Sequence, residues 1–194
     1  MSSKVPLRRL SDPRELRALA HPARVRIVEE LAFDSPLTAT ELADRLGESP
    51  ANCSWHLRQL AKFGYVEEAT GQAGRRRPWR IVVQSHSYGD SDDPLEAAAA
   101  GALEDVLERR DEEELEAWRR REQAEPKQWR EAAFGTRSYL WLTAAELTEL
   151  QAGIYDLVVR HLDRFTDPAA RPPGSRPIRF VAKGFPTRTA SEDA

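Results

Sequence analysis

A mainly α fold with a small β component (α+β) is what this sequence predicts, on three observations. Capped amphipathic helical periods follow one another through residue 64. Two β-patterned stretches then flank a Gly-containing loop up to residue 83. A long Ala-, Leu- and Glu-rich run at 94–121 leads into a strand-helix-strand pattern.

Composition bounds the function classes. The chain has 194 residues, 40% hydrophobic and 31% charged, ordinary for one good core or two small ones. Its single Cys cannot form an internal disulfide, so a reducing cytoplasm is the expected home. "MSSKVPLRRLSDPRELRALA" lacks the apolar core of a signal peptide, and no run approaches the roughly 18 apolar residues of a membrane span. The net charge of -3 hides an asymmetry. Residues 1–90 carry 14 Lys/Arg against 11 Asp/Glu, and residues 91–194 carry 15 against 21. A basic half beside an acidic one is the footprint of a module that meets a polyanion, although small imbalances are also common.

The elements follow in order. From Asp12, "DPRELRALA" places Leu16, Leu19 and Ala20 at helical spacing, and His21-Pro22 starts a second helix with Val25, Val28 and Leu31 on one face. In "LTATELADRLG", Thr38 and Glu41 form a capping box, Leu42 and Leu46 point inward and Gly47 ends the helix. After a two-residue turn, Ser49 is the next N-cap and Pro50 occupies N1, where its missing N–H costs nothing. Cys53, Leu57 and Leu60 recur at i, i+4 and i+7, and Gly64 closes this helix.

That phase bears on Cys53 and His56, which could be two metal ligands or two structural residues. Cys53 shares the buried stripe with leucines, which suits a small core hydrophobe. Two ligands at i, i+3 make half a zinc site, and His21, His86 and His161 form no second cluster in sequence, so no metal is expected. A histidine bonding to backbone is the structural alternative. The opposite face carries Asn52, Ser54, Trp55, Arg58, Gln59 and Lys62. Small and amide residues at the N-terminal end of the second of two tightly joined helices suit a helix-turn-helix: Asn can take the N6 and N7 atoms of adenine, and Arg58 and Lys62 can meet phosphates. "YVEEATGQAGRRRPWRIVV" reads as two strands, Tyr65 to Glu68 and about Arg77 to Val83. Arg75, Arg76 and Arg77 in the return of that hairpin are either a solvated basic loop or a wing tracking the phosphate backbone, and their position after a helix-turn-helix favours the wing.

From about Leu16 to Val83 the chain resembles the ArsR-type (arsenic-repressor-like) winged helix-turn-helix regulators, through "LRALAHPARVRIVEELA", "LTATELADRLGESPANCSWHLRQLAKFGYVEE" and "GRRRPWRIV". The resemblance implies a cytoplasmic, usually dimeric DNA-binding regulator with its recognition helix at about 50–63 and an Arg-rich wing at about 69–77. Metal-sensing members place Cys-x-Cys on the helix before the recognition helix, where this chain has "TELADRLG", so it is the non-metal-sensing branch that the sequence resembles. Thr40, Pro50, Asn52, Ser54, Trp55, Arg58, Gln59, Lys62, Arg75, Arg76 and Arg77 form the candidate DNA-binding set, with no cofactor. In the family a polar or basic residue is commoner at the position of Trp55.

The expected division is a DNA-binding domain at 1–90, a dimerisation and effector domain at 91–185 and a flexible tail at 186–194. In "PLEAAAAGALEDVLERRDEEELEAWRRREQ", Leu95, Ala99, Ala102, Leu103, Val106 and Leu107 form a stripe that suits a homodimer helix or a helix packed on its own domain. A short helix around "EPKQWREAA" and strand-like "RSYLWL" follow. Thr143 and Glu146 then open an amphipathic helix with Leu147, Leu150, Ile154, Leu157 and Val158, up to about Phe165. "RPIRFVAKGF" is again strand-like, so the two strands and the helix suggest a small α+β layer. Trp118, Trp129, Trp141, Tyr139 and Tyr155 are the candidate pocket for a small apolar or aromatic effector; the alternative is plain core. A protein-interaction module docking a partner through the acidic half is the competing function. No glycine-rich phosphate loop, metal quartet or Ser/His/Asp spacing argues for an enzyme.

Overall fold

The structure, a computed structural model, describes residues 7–69, 77–82, 85–88 and 91–187. Its first four helices are α1 (Pro13–Leu19), α2 (Pro22–Phe33), α3 (Ala39–Leu46) and α4 (Pro50–Lys62). Each begins at a side chain that accepts an otherwise orphaned backbone N–H: Asp12, His21, Thr38 and Ser49. The capping box of Thr38 with Glu41 is complete, and Gly47 ends α3 in the left-handed region at φ 67°. Strand β2 (Val66–Glu68) then pairs antiparallel with β3 (Trp79–Ile81). Leu37 extends this small sheet through reciprocal backbone bonds with Trp79 of 2.9 and 2.7 Å.

The fold is therefore mainly helical with a small sheet, an N-terminal winged helix as the sequence predicts. One pairing was not foreseen. Strand β1 (Leu7–Arg9) pairs in parallel with β4 (Ser85–Ser87), two stretches in which the sequence announced no strand. Three-residue strands carry too little alternation to be seen in a sequence.

Helix α5 (Pro94–Arg121) lies against α1, and Ala99, Ala100 and Leu103 enter the same apolar cluster as Leu16, Ile27, Leu31, Leu42, Leu57 and Leu60. The first half of α5 thus packs on the chain's own head. Its inward stripe is Ala99, Ala100, Leu103 and Val106; Leu95 and Ala102, which the sequence placed on it, are exposed. An Ala-rich run leaves the rotational phase of a helix poorly defined, because small residues suit either face.

Beyond α5 come α6 (Lys127–Ala132), α7 (Ala144–Val159) and α8 (Asp163–Thr166). The second capping box, Thr143 with Glu146, is present, but α7 stops at Val159 rather than near Phe165 and buries none of its residues. The expected α+β layer is not assembled within the chain: "RSYLWL" and "RPIRFVAKGF" form no strand and do not pair with each other. No helix among the described residues is long and apolar enough to cross a membrane.

Leu103 is fully buried between α5 and the head. Leu103→Ala should therefore lower unfolding free energy by about 2–5 kcal/mol, measured from urea melts. A loss below about 0.5 kcal/mol, the scale of a neutral surface change, would mean that α5 is not part of the head's core.

Candidate nucleic-acid interface

The outward face of α4 is fixed by its inward one. Cys53, Leu57 and Leu60 are completely buried and His56 nearly so, and a helix with four such positions cannot rotate. Pro50, Trp55, Arg58 and Lys62 are thereby exposed, with Asn52, Ser54 and Gln59 partly so, and Thr40 is exposed near the start of α3. The C-terminal end of α4 is tied down separately. Arg8 donates to the Phe63 carbonyl at 3.0 Å and ion-pairs with the buried Glu15, whose backbone carbonyl accepts the Tyr65 hydroxyl at 3.2 Å. These contacts join β1, α1 and the end of α4.

The outward side chains are held by local partners. Asn52 donates its amide to Glu48 at 2.8 Å, Arg58 to the Ser54 hydroxyl at 2.8 Å, and Lys62 to Gln59 at 3.3 Å. Across the base of the hairpin, Arg77 faces Glu68 at 3.3 Å and Arg80 faces Glu67 at 2.7 Å. Glu48, Glu67 and Glu68 were not singled out in the sequence, yet each is the partner of a candidate or neighbouring polar side chain. Arg75 and Arg76 lie outside the described residues.

His56 differs from the sequence expectation of a backbone-bonded histidine. Its Nδ1 is buried with no hydrogen-bond partner among the described residues. The ring packs instead against His21, centroids 4.8 Å apart, and edge-on to Trp55 at 4.9 Å. His21 uses Nδ1 as the N-cap acceptor for the Ala23 amide at 3.2 Å, so that nitrogen must be unprotonated. Burial is the main cause that holds both imidazoles below their ordinary proton affinity, with Arg24 adding to it at each and His21 adding to it at His56. Burial likewise pushes the Cys53 thiol up, the wrong direction for a nucleophile or metal ligand. Among the described residues no three His, Cys, Asp or Glu side chains are grouped to hold a metal ion.

The candidate effector aromatics are dispersed in their surroundings. Trp118 and Trp129 are half-buried beneath the guanidinium groups of Arg121 and Arg176, at 5.6 and 4.9 Å. Tyr155 is partly open, while Tyr139 and Trp141 are 93% and 98% exposed.

Residues 19–68 match a protein family described as a helix-turn-helix domain. Among curated proteins none matches the sequence. Solved structures that align with it include the transcriptional regulator Tm0710 of Thermotoga maritima, 15% identical over 76% of this chain and 80% of that one, with a TM-score of 0.31. A mutant of ZitR from Lactococcus lactis is 12% identical over 73% of each chain, with a TM-score of 0.29. The MarR family protein Rv2887 of Mycobacterium tuberculosis, in complex with p-aminosalicylic acid, is 19% identical over 75% and 87%, with a TM-score of 0.30.

Two imidazoles held below their ordinary proton affinity predict a pH-sensitive head. With folded pKa values below the unfolded one, the unfolded chain binds protons first as the pH drops through about 6.5, so stability falls from there down to the lowered folded values. Urea midpoints should decline between about pH 7 and pH 5, and the decline should be shallower in His56→Gln. An identical pH profile in the variant would exclude His56 as a source.

Proposed function

We propose that this chain is a sequence-specific, dimeric DNA-binding transcriptional regulator of the ArsR-type, non-metal-sensing kind. The head at 1–90 is the DNA reader, 91–185 the dimerisation and effector part, and 186–194 a tail. The observation that carries this reading is the rotational lock of α4: one face is buried completely, and the other presents a small-residue and amide N-terminal end with Arg58 and Lys62 further along. The helix-turn-helix match over 19–68 supports it. The N-terminal end of α4 enters the major groove, Asn52 reads a base edge, and Arg58, Lys62 and the wing meet phosphates.

The local partners give this reading a cost structure. Asn52 leaves Glu48 to reach a base, and Arg77 leaves Glu68 to reach a phosphate. Each acid in place opposes approach to a polyanion and each is exchanged for a better partner only on DNA. Glu68→Gln should therefore tighten DNA binding about two- to fivefold at low salt, the scale of one exposed ion pair. Weaker or unchanged binding in a filter or fluorescence titration would count against Arg77 as a phosphate contact.

Changing Arg75, Arg76 and Arg77 together to Ala should weaken binding to every duplex and flatten log K against log salt by up to about 0.9 per lost contact. An unchanged slope would remove the wing from the interface. Asn52→Ala should instead relax preference at one base position, at a cost of about 1–3 kcal/mol on the specific site and little on random DNA. Equal losses on both would deny it a reading role. The protein-interaction alternative requires no salt-sensitive DNA binding at all.

A further inference from the structure

The segment after α6 has the chemistry of a core and the exposure of a surface. Beyond residue 133, fourteen large apolar side chains among the described residues stand open, with exposures from 37% to 98%. At about 150–250 Å² for a large side chain, this is on the order of 1,500 Å² of apolar surface. The largest patch on a monomer is about 300–600 Å², whereas standard interfaces bury about 800 Å² per partner and obligate homodimers more. The quantity matches an obligate interface, which resembles a domain core cut in half.

The backbone points the same way. Residues 176–185 lie along α5, held by Arg176 on Glu125 at 2.7 Å, Arg179 on Asp111 at 2.7 Å and on Glu29, and Lys183 on Glu104 and on Glu108, the last at 2.7 Å. Glu104, Glu108 and Asp111 are on α5 and Glu125 lies just beyond its end. The stretch has no strand partner of its own, and Ile178 and Phe180, on either side of Arg179, are 65% and 51% exposed. Residues 134–142, carrying "RSYLWL", touch this edge nowhere as a strand. Among the described residues neither stretch makes a backbone–backbone hydrogen bond. Two β-patterned edges on one chain, each open, are both satisfied by a single two-fold operation.

We propose that residues 134–142 of one chain add as a strand to the 176–185 edge of a second copy, and reciprocally, so that two chains exchange arms, with α7 closing over the joint. The proposal rests on the dimeric reading above and names its surface: the arm, and not the polar second half of α5. Pre-pinning of the 176–185 edge by its ion pairs lowers the ordering cost of association.

Sedimentation equilibrium of the full chain tests this, with variants whose sites are exposed in the single chain and should leave far-UV circular dichroism unchanged. The wild type should be dimeric at about 10 µM. Leu140→Asp and Ile178→Asp should each raise the dimer dissociation constant at least about 30-fold, as a charge in an interface centre does. Leu115→Asp, on α5 and 48% exposed, should change it less than about threefold. Mixing the Leu140→Asp and Ile178→Asp chains is decisive: in the mixed pair both changes fall on one of the two reciprocal joints and the other is wild type, so association should recover about tenfold over either alone. A monomeric wild type, a dimer indifferent to the arm variants, splitting by Leu115→Asp alone, or no recovery on mixing would each overturn the exchange. DNA titration of the same samples separates the two readings. A dimer that behaves as described but binds no duplex defeats the DNA-binding reading alone, a DNA-binding dimer indifferent to the arm variants defeats only the arm, and a DNA-binding monomer defeats the arm together with the dimeric part of the proposed function.

Discussion

The complete burial of Cys53, Leu57 and Leu60 is the constraint on which the rest of the head depends. These side chains meet α2 and α3 in one apolar cluster with Leu16 and Leu103, so α4 has a single rotational setting. Everything that faces outward does so because of what faces in. The Ser49 cap and Pro50 fix where the helix begins, and Arg8 on the Phe63 carbonyl fixes where it ends. Between those limits Asn52, Ser54, Trp55 and Arg58 have no freedom to be anywhere but on the open face. Trp55 gains a further restraint from the edge of the His56 ring, so a large aromatic side chain is presented with little rotamer entropy left to lose.

A face whose amide and basic groups are already partnered is a selective one. Glu48, Glu67 and Glu68 occupy amide and guanidinium groups that would otherwise attract any polyanion. Exposed pairs of this kind contribute little to folding, so their effect falls mainly on recognition. A ligand gains from this surface only where it offers each displaced group a better acceptor. His21 and His56 add a second layer beneath it. Both rings lie at the junction of α2 and α4 and are held neutral mainly by burial, so protonation would remove the α2 cap and charge the underside of the outward face together.

Much of this was legible in the sequence because it is written in local chemistry. Thr38 with Glu41, Ser49 with Pro50, Thr143 with Glu146 and the glycines at 47 and 64 each specify a helix end through atoms within a few residues. The i, i+4, i+7 spacing of Cys53, Leu57 and Leu60 specified the buried face. What escaped was non-local or degenerate. The parallel pairing of β1 with β4 joins residues nearly eighty apart through strands too short to show a period. Ala-rich α5 gave no firm phase, so Leu95 was placed inward and is exposed. The orphaned Nδ1 of His56 depends on which neighbours three helices supply, which no spacing encodes. In the last third, the alternating pattern of "RSYLWL" and "RPIRFVAKGF" led to two strands that the chain does not form, because a strand needs a partner edge that a local pattern cannot supply.

Helix α5 connects these two levels. Its first half contributes Ala99, Ala100 and Leu103 to the head core, and its acids Glu104, Glu108 and Asp111, with Glu125 just beyond its end, hold the 176–185 stretch. Core and edge are therefore parts of one rigid spine, and any body that docks on that edge takes a fixed position relative to α4. Under arm exchange the separation of the two α4 helices is set by α5 and not by a flexible linker, because Arg110 clamps the middle of α5 to Glu29 on α2 at 2.8 Å while Arg179 reaches the same Glu29 from the terminal stretch. A single carboxylate thus ties the head, the spine and the docking edge. Reading two half-sites at a fixed spacing requires that kind of stiffness, since a hinge at any of the three would spread the spacing and with it the specificity.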